Sequence, residues 1–265
     1  MEQTKYIAAI DPGTSTIRAM VAHKNEGSVL SILAAEEVDS GNCIRRGYVY
    51  NINETSTKIA SLITRLNRKL TDPVAKVYLG IGGQSVHSMP YSVKENISGE
   101  SVTQDILDYL MLECQSYQPE NLEVLDIVSP EYLIDGRLEP KPLGVIGHTI
   151  EARFQLILGR PSLKSNLEKC IPEGGKYSVA GYFITPLATA EAVLTDEEKL
   201  LGCALVEFGA GVTYVSVYKN GSLQLLSTIP LGGDVITKDI QTMNLLEADA
   251  ERLKVGGGLE DREVD

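Results

Sequence analysis

"GCALVEFGAGVTYVSVYKNGSLQLLSTIP" (Gly202–Pro230) repeats, feature for feature, "AAIDPGTSTIRAMVAHKNEGSVLSIL" (Ala8–Leu33) near the start of the chain. Each has an apolar strand, one acid, a Gly-bearing turn, an outgoing strand, a Lys-Asn hairpin and a returning strand, in that order. Asp11 matches Glu207, Gly13 matches Gly209, and Lys24-Asn25 matches Lys219-Asn220 within one residue of register. A repeat of this period is too long for a solenoid and points to two related lobes. In both copies the acid ends an apolar strand and the turn runs strand to strand. That excludes a P-loop, which needs GxxxxGK[ST] leading into a helix.

Two such turns facing one another would form a cleft. Turns present backbone N–H groups, and a concavity of such donors suits anions, phosphate above all. Glycine lets the backbone approach closely, and Thr14, Ser15 and Thr16 add hydroxyls. Asp11 and Glu207 would repel bare phosphate, so they make sense with a cation between; as hard oxygen ligands they suit Mg²⁺ through its retained waters. The expected occupant is a nucleotide with Mg²⁺ held between two lobes.

The rest of the chain fits around this pair. Strands are expected at Tyr6–Ile10, Ile17–Ala22 and Val29–Val38, with "KNEGS" as a hairpin turn. Asn51 with Glu54 opens a helix whose apolar residues Ile59, Leu62, Ile63, Leu66 and Leu70 share one face. Val74–Gly83 reads as a strand covered on both sides. Between Gln84 and Arg160 the character changes: a strand at His87–Val93, a helix from Thr103, a Pro- and Gly-containing extended region over Val124–Gly147, and an alternating strand at Thr149–Leu158. This reads as a small α+β unit inserted into a larger one. A helix (Ser162–Cys170), a strand (Tyr177–Ile184) and a short helix around Ala188–Val193 lead to the second copy.

Composition narrows the function. The 265 residues carry a net charge of −12, which argues against wrapping nucleic acid or adhering to anionic lipid by general electrostatics. Apolar runs reach about eight residues, against about 20 needed to span a bilayer. Met1–Lys5 lacks the layout of a signal peptide. The four cysteines (Cys43, Cys114, Cys170, Cys203) are scattered and read as reduced thiols in or near the core; His23, His87 and His148 show no metal-ligand spacing.

"IDPGTSTIRAMV" (Ile10–Val21), "VEFGAGVTYVSVYKNG" (Val206–Gly221) and "IPLGGDVITKDI" (Ile229–Ile240) are similar to the first phosphate motif, the second, and the segment after it in the FtsA family, bacterial cell-division members of the actin-like ATPase superfamily. "SPEYLIDG" (Ser129–Gly136) and "AGYFITPLATAEAVLTDEEKLLG" (Ala180–Gly202) also resemble family segments, and the resemblance runs to about Lys254. It implies an α/β actin-like fold with ribonuclease H-like duplicated lobes and an inserted α+β subdomain, 1C. The division is 1–83 lobe 1A, 84–160 subdomain 1C, 161–196 return to 1A, 197–254 a partial second lobe 2A, and 255–265 an unassigned Gly-rich tail or junction. Phosphate-binding residues by this resemblance are Asp11, Gly13, Thr14, Ser15, Thr16, Gly209, Ala210, Gly211, Gly232 and Gly233. Asp11 and Glu207 are the Mg²⁺ ligands, and Glu207 is the one candidate for positioning water.

The family usually has Asp where Glu207 stands and Thr where Val212 stands. It also continues past "DAERLKV" into subdomain 2B, a linker and an amphipathic membrane helix. The resemblance implies a cytoplasmic scaffold, peripheral on the inner membrane at the division site. It would bind ATP, polymerise with itself, meet FtsZ through the subdomain that follows, and recruit later division proteins through 1C. At most it is a slow Mg-dependent ATPase. Three other readings share the superfamily: a PilM-type pilus-assembly scaffold, a DnaK-type chaperone ATPase and a sugar or acetate kinase. The insertion before Arg160 disfavours the chaperone, and no acid placed to deprotonate a substrate hydroxyl favours the kinase.

Overall fold

The computed structural model describes residues 6–24, 30–171 and 176–256. Three antiparallel strands, β1 (Ile7–Pro12), β2 (Thr16–Lys24) and β3 (Leu30–Asp39), start the first lobe. The two-residue strands β4 (Ile44–Arg45) and β5 (Tyr48–Val49) lead into helix α1 (Ile52–Asn67), and β6 (Lys76–Ile81) returns parallel to β1. Asn51 caps α1 as its sequence predicts, accepting the Glu54 N–H at 3.1 Å. The apolar stripe Ile59, Leu62, Ile63 and Leu66 is buried, packed with Ile10, Ile17, Ala19 and Val21 of the strands.

The inserted unit follows: β7 (His87–Asn96), α2 (Gln104–Gln115), β8 (Glu123–Ile134), β9 (Arg137–Leu138) and β10 (Thr149–Gly159). Its sheet has the order β7-β10-β8-β9, every pair antiparallel. The unit has its own core, with Phe154, Leu110, Ile150, Leu156 and Cys114 at its centre. The stretch read as merely extended over Val124–Gly147 therefore contains a full ladder strand. Pro130 is what disguises it. The β8–β10 register shifts between Val128 and Glu131, and a proline is tolerated at such a bulge because no ladder N–H is needed there. Phe154 is 1% exposed, so Phe154→Ala should cost about 3–5 kcal/mol. Chemical denaturation should show this as an earlier loss of the inserted unit.

Helix α3 (Pro161–Glu168), strand β11 (Ser178–Ile184) and helices α4 (Thr185–Val193) and α5 (Asp196–Leu201) complete the first lobe and cross to the second. Strand β11 pairs parallel with β6, giving the order β11-β6-β1-β2-β3. Helix α4 starts at Thr185, earlier than the short helix expected around Ala188, because Pro186 occupies its first turn, where a missing N–H costs nothing. Helix α5 carries a capping box between Thr195 and Glu198 that periodicity did not reveal.

The second lobe comprises β12 (Cys203–Phe208), β13 (Thr213–Lys219), β14 (Ser222–Ile229), α6 (Gly233–Gln241) and α7 (Glu247–Gly256). Among the described residues its sheet has three strands to the first lobe's five. The β13–β14 turn has Asn220 and Gly221 at φ 55° and 80°, as a tight hairpin requires. Its counterpart after Lys24 lies outside the described residues, as does most of the Gly-rich tail.

The duplication extends to the hydrogen bonds. Asp11 pairs with Arg18 and Pro12 with Ile17 in one hairpin; Glu207 pairs with Tyr214 and Phe208 with Thr213 in the other. Gly13 N–H donates to Thr16 O at 3.1 Å, and Gly209 N–H donates to Val212 O at 3.0 Å. A Cβ on either glycine would lie 2.7 or 2.8 Å from that same carbonyl oxygen, so both turns close only on glycine. All four cysteines are free, three buried and Cys203 half-buried. Burial pushes the Cys114 and Cys170 thiols up to about 11, which leaves them inert.

Candidate functional site

The two glycine turns face each other across a cavity of about 420 Å³. Asp11, Gly13, Thr14, Ser15 and Thr16 line it from the first lobe, and Glu207, Gly209 and Ala210 from the second. The turns touch beside the cavity: a Cβ on Gly211 would lie 2.8 Å from the Thr14 side chain. Gly211 is thus a lobe-to-lobe contact.

The donors offered to a ligand differ from those the sequence implies. Gly13 and Gly209 N–H are consumed inside their own turns. The amides of Thr14, Ser15, Ala210 and Gly211 donate to no other backbone group among the described residues; Thr14, Ser15 and Ala210 line the cavity and present theirs to it, and Gly211 does not line it. Ser40 braces the first turn, its hydroxyl donating to Gly13 O at 2.7 Å and its N–H to Ser15 O at 2.8 Å. The Thr14 hydroxyl accepts the Gly47 N–H at 2.9 Å, which fixes its rotamer.

Gly232 and Gly233 do not line the cavity. They lie behind the second turn and hold it. Gly233 and Asp234 N–H donate to Gly209 O and Ala210 O, both at 2.9 Å. A Cβ on Gly232 would meet the Ala210 and Gly209 carbonyl oxygens at 2.4 Å. Lys254 of α7 secures the arrangement, its Nζ donating to Gly233 O at 3.4 Å and to Thr237 Oγ1 at 3.0 Å.

The two acids share a poorly solvated environment. Burial raises Asp11 above the ordinary carboxylate value; the Thr185 hydroxyl, donating to Oδ1 at 3.0 Å, and the charge of Arg18 oppose it. Burial likewise raises Glu207, the Thr189 hydroxyl lowers it, and the charge of Asp11 raises it further. Glu207 Oε2 is buried without a hydrogen-bond partner. A lone acceptor of this kind, next to a second half-buried acid, is a place for a cation or its waters. Among the described residues no cluster of three or more metal-ligating side chains exists. The two acids therefore suit a hard cation that keeps most of its waters and not a cage.

Three side chains here escape a linear reading. Thr185 and Thr189 stand one turn apart on α4; the Thr185 hydroxyl donates to Asp11 Oδ1, and the Thr189 hydroxyl donates to Thr185 O at 3.1 Å. A hydroxyl pair at i, i+4 in "TPLAT" was the available signal. Tyr214 lines the cavity from β13, and its hydroxyl accepts the Gly83 N–H at 2.6 Å. Gly80 leaves room for the Asp11–Thr185 pair, since a Cβ there would lie 2.9 Å from both oxygens.

The family model "Cell division protein FtsA" matches residues 204–264, and the "SHS2 domain inserted in FTSA" matches residues 83–158. The cell division protein FtsA of Porphyromonas gingivalis is 38% identical over 252 residues, 94% of this chain and 53% of its own length. That of Neisseria meningitidis is 30% identical over 261 residues, 97% of this chain and 63% of its own. The chain thus spans between half and two thirds of the length of these relatives. Among solved structures, a chain of the PilM–PilN type IV pilus biogenesis complex superposes with a TM-score of 0.65 at 16% identity, covering 95% of this chain and 70% of that one. That likeness shows a shared fold. With both family models matched on either side of the crossover, and an actin-like fold carrying the SHS2 insertion, the chain belongs to the FtsA family.

Proposed function

We propose that this chain binds ATP with Mg²⁺ between its two glycine turns and serves as a nucleotide-controlled scaffold of bacterial cell division. The observation that carries the nucleotide site is the facing pair of turns with unspent amides, and between them two half-buried acids, one with a buried, unpartnered oxygen. Thr14, Ser15 and Ala210 supply N–H donors to the phosphates, the Thr16 hydroxyl adds another, and Gly211 holds the two turns together beside them. Asp11 and Glu207 hold the cation, through water for the most part. Bound there, Mg²⁺ neutralises phosphate charge. Gly232 and Gly233 act on the phosphates only through the turn they brace.

Catalysis is a minor part of this reading. Hydrolysis needs a group that orients water at the γ-phosphate. Glu207 is the candidate, already committed to the cation, so turnover is slow. The scaffold role follows from similarity to FtsA: self-association into filaments, contact with FtsZ through the segment that follows in the family, and recruitment of later division proteins through the SHS2 insertion. On this reading the protein works on the cytoplasmic face of the membrane at the division site. Among the described residues no helix is long and apolar enough to cross a membrane.

Calorimetric titration of Mg–ATP into the chain and into Asp11→Ala tests the site. Saturable binding in the parent, weakened at least about a hundredfold in the variant, is expected from loss of a charge-assisted contact of about 3 kcal/mol. Equal affinities for both proteins would remove Asp11 from the site and the proposal with it.

A further inference from the structure

The chain leaves the first lobe for the insertion at Gly82–Gly83, immediately after β6, and returns at Gly159–Arg160. These two connections lie together: Arg160 N–H donates to Ser85 Oγ at 3.2 Å. The departing peptide is tightly enclosed. Gly83 has φ 124°, and a Cβ on it would lie 3.0 Å from Gly47 O and 3.2 Å from Leu163 Cδ2. Onto this peptide the second lobe places one side chain. Tyr214 Oη accepts the Gly83 N–H at 2.6 Å in a buried hydrogen bond, and a Cβ on Gly82 would fall 2.4 Å from that oxygen.

Tyr214 is also part of the cleft. It lines the cavity beside Asp11 and Glu207 and stands directly opposite Glu207 in the β12–β13 ladder. One ring therefore spans from the cavity wall to the hinge of the insertion. A second tie runs alongside. Strand β14 lies against β7, with Leu226 N–H donating to Ser88 Oγ at 2.7 Å and the Thr228 hydroxyl donating to Val86 O. Gln224 Nε2 reaches Glu131 Oε1 at 3.2 Å further along the insertion. Strands β13 and β14 follow the second turn without a break, so displacement of that turn reaches the insertion through both ties.

We infer that Tyr214 is a positioning residue that couples occupancy of the cleft to the set of the SHS2 insertion. The inference rests on the nucleotide reading for its ligand. Its geometry does not depend on that ligand. Such coupling is reciprocal: whatever grips the insertion changes the affinity of the cleft by the same factor.

The test is hydrogen exchange at Gly159–Leu163 and at the Leu226 amide, in the parent and in Tyr214→Phe, which removes only the hydroxyl. Two perturbations of the cleft are applied, saturating Mg–ATP and the substitution Asp11→Asn. In the parent, exchange at these sites should change by about fivefold or more, the low end of common couplings. In Tyr214→Phe the response should shrink below about twofold, against the same benchmark, while the variant still melts cooperatively. A merely structural tyrosine would shift exchange equally with and without the perturbation and leave the response intact. That result overturns the inference, as does a parent that responds to neither perturbation. Calorimetry on the same samples separates the two claims: no Mg–ATP binding sinks the nucleotide reading, and the Asp11→Asn arm still decides the coupling. If Tyr214→Phe fails to fold, the parent decides alone: exchange of the Gly83 N–H, which the Tyr214 hydroxyl accepts, should change by about fivefold under each perturbation, and a Gly83 amide that responds to neither overturns the inference.

Discussion

Gly232→Ala destabilises the second lobe by about 3 kcal/mol, the upper end of the usual overpacking cost, and abolishes Mg–ATP binding. The backbone of Gly232 is ordinary extended chain, so no strained dihedral is involved. The conflict is purely steric. An added methyl would sit 2.4 Å from two carbonyl oxygens and 2.6 Å from the Ala210 carbonyl carbon, all backbone atoms. Those atoms belong to the turn whose amides face the cavity, and they are pinned by Gly233 and Asp234 N–H. Relief requires the turn to move into the cleft or the start of α6 to move away, and either breaks these bonds. The contrast is Gly221→Ala, where the added methyl meets open space. Its cost is only that of placing alanine at φ 80°, and ATP binding is unaffected. Thermal melts and Mg–ATP titration of both variants check the pair. A Gly232→Ala protein with parental Tm and affinity would show that the turn is not held as described.

Neutralising the acid pair has the opposite effect on stability and the same effect on binding. Both carboxyls are raised by burial, Glu207 additionally by the charge of Asp11. In the ligand-free protein the fold therefore holds protons at these sites more tightly than the unfolded chain does. That contribution is fully present below the ordinary values, 3.8 for Asp11 and 4.5 for Glu207, and is lost as pH rises through the raised folded values. Asp11→Asn combined with Glu207→Gln removes the loss. At pH 7.5 the double variant should melt a few degrees higher, each kcal/mol being worth about 2–4 °C at this chain length. The gain should close as pH falls toward the ordinary carboxylate values. Mg–ATP binding disappears at every pH. Differential scanning calorimetry across pH decides it; a double variant less stable than the parent at pH 7.5 refutes the account. On the proposed reading, the parent gives up stability at the two acids that would hold the cation.

Much of this arrangement is legible in the linear chain because local physics dictates it. Period-two apolar alternation marks β2 and β10, and the 3.6-residue stripe from Ile59 to Leu66 marks α1. The acid-then-glycine turns stand out because each closes only on glycine, for a reason internal to the turn. What is hidden depends on crossings between distant segments. Tyr214 and Gly83 meet over 131 positions, and Thr185 and Asp11 over 174. No spacing rule connects them. Gly232 and Gly233 were legible as necessary but not in their role, because a glycine that admits a phosphate and one that admits a carbonyl oxygen look alike in sequence. Pro130 misled in the other direction: a strand-breaking residue lodged in a bulge that only the pairing register reveals.

The parallel pairing of β6 with β11 has a consequence for how the chain acquires its structure. Strand β6 ends at Ile81 and β11 begins at Ser178, with the whole SHS2 unit between them. Left as open coil, that intervening length would make closure of the first sheet slow, since non-local strand pairing must meet loop entropy before any contact rewards it. But the unit has a separate core, its first and last strands β7 and β10 pair antiparallel, and its two ends meet at Ser85 and Arg160. Once collapsed, it replaces a long floppy tether by a short rigid one and delivers β11 to the edge of β6. The expected order of assembly is therefore the inserted unit first and the β6–β11 pairing after it, which pulsed hydrogen exchange during refolding would read as earlier protection in β7, β8 and β10 than in β11.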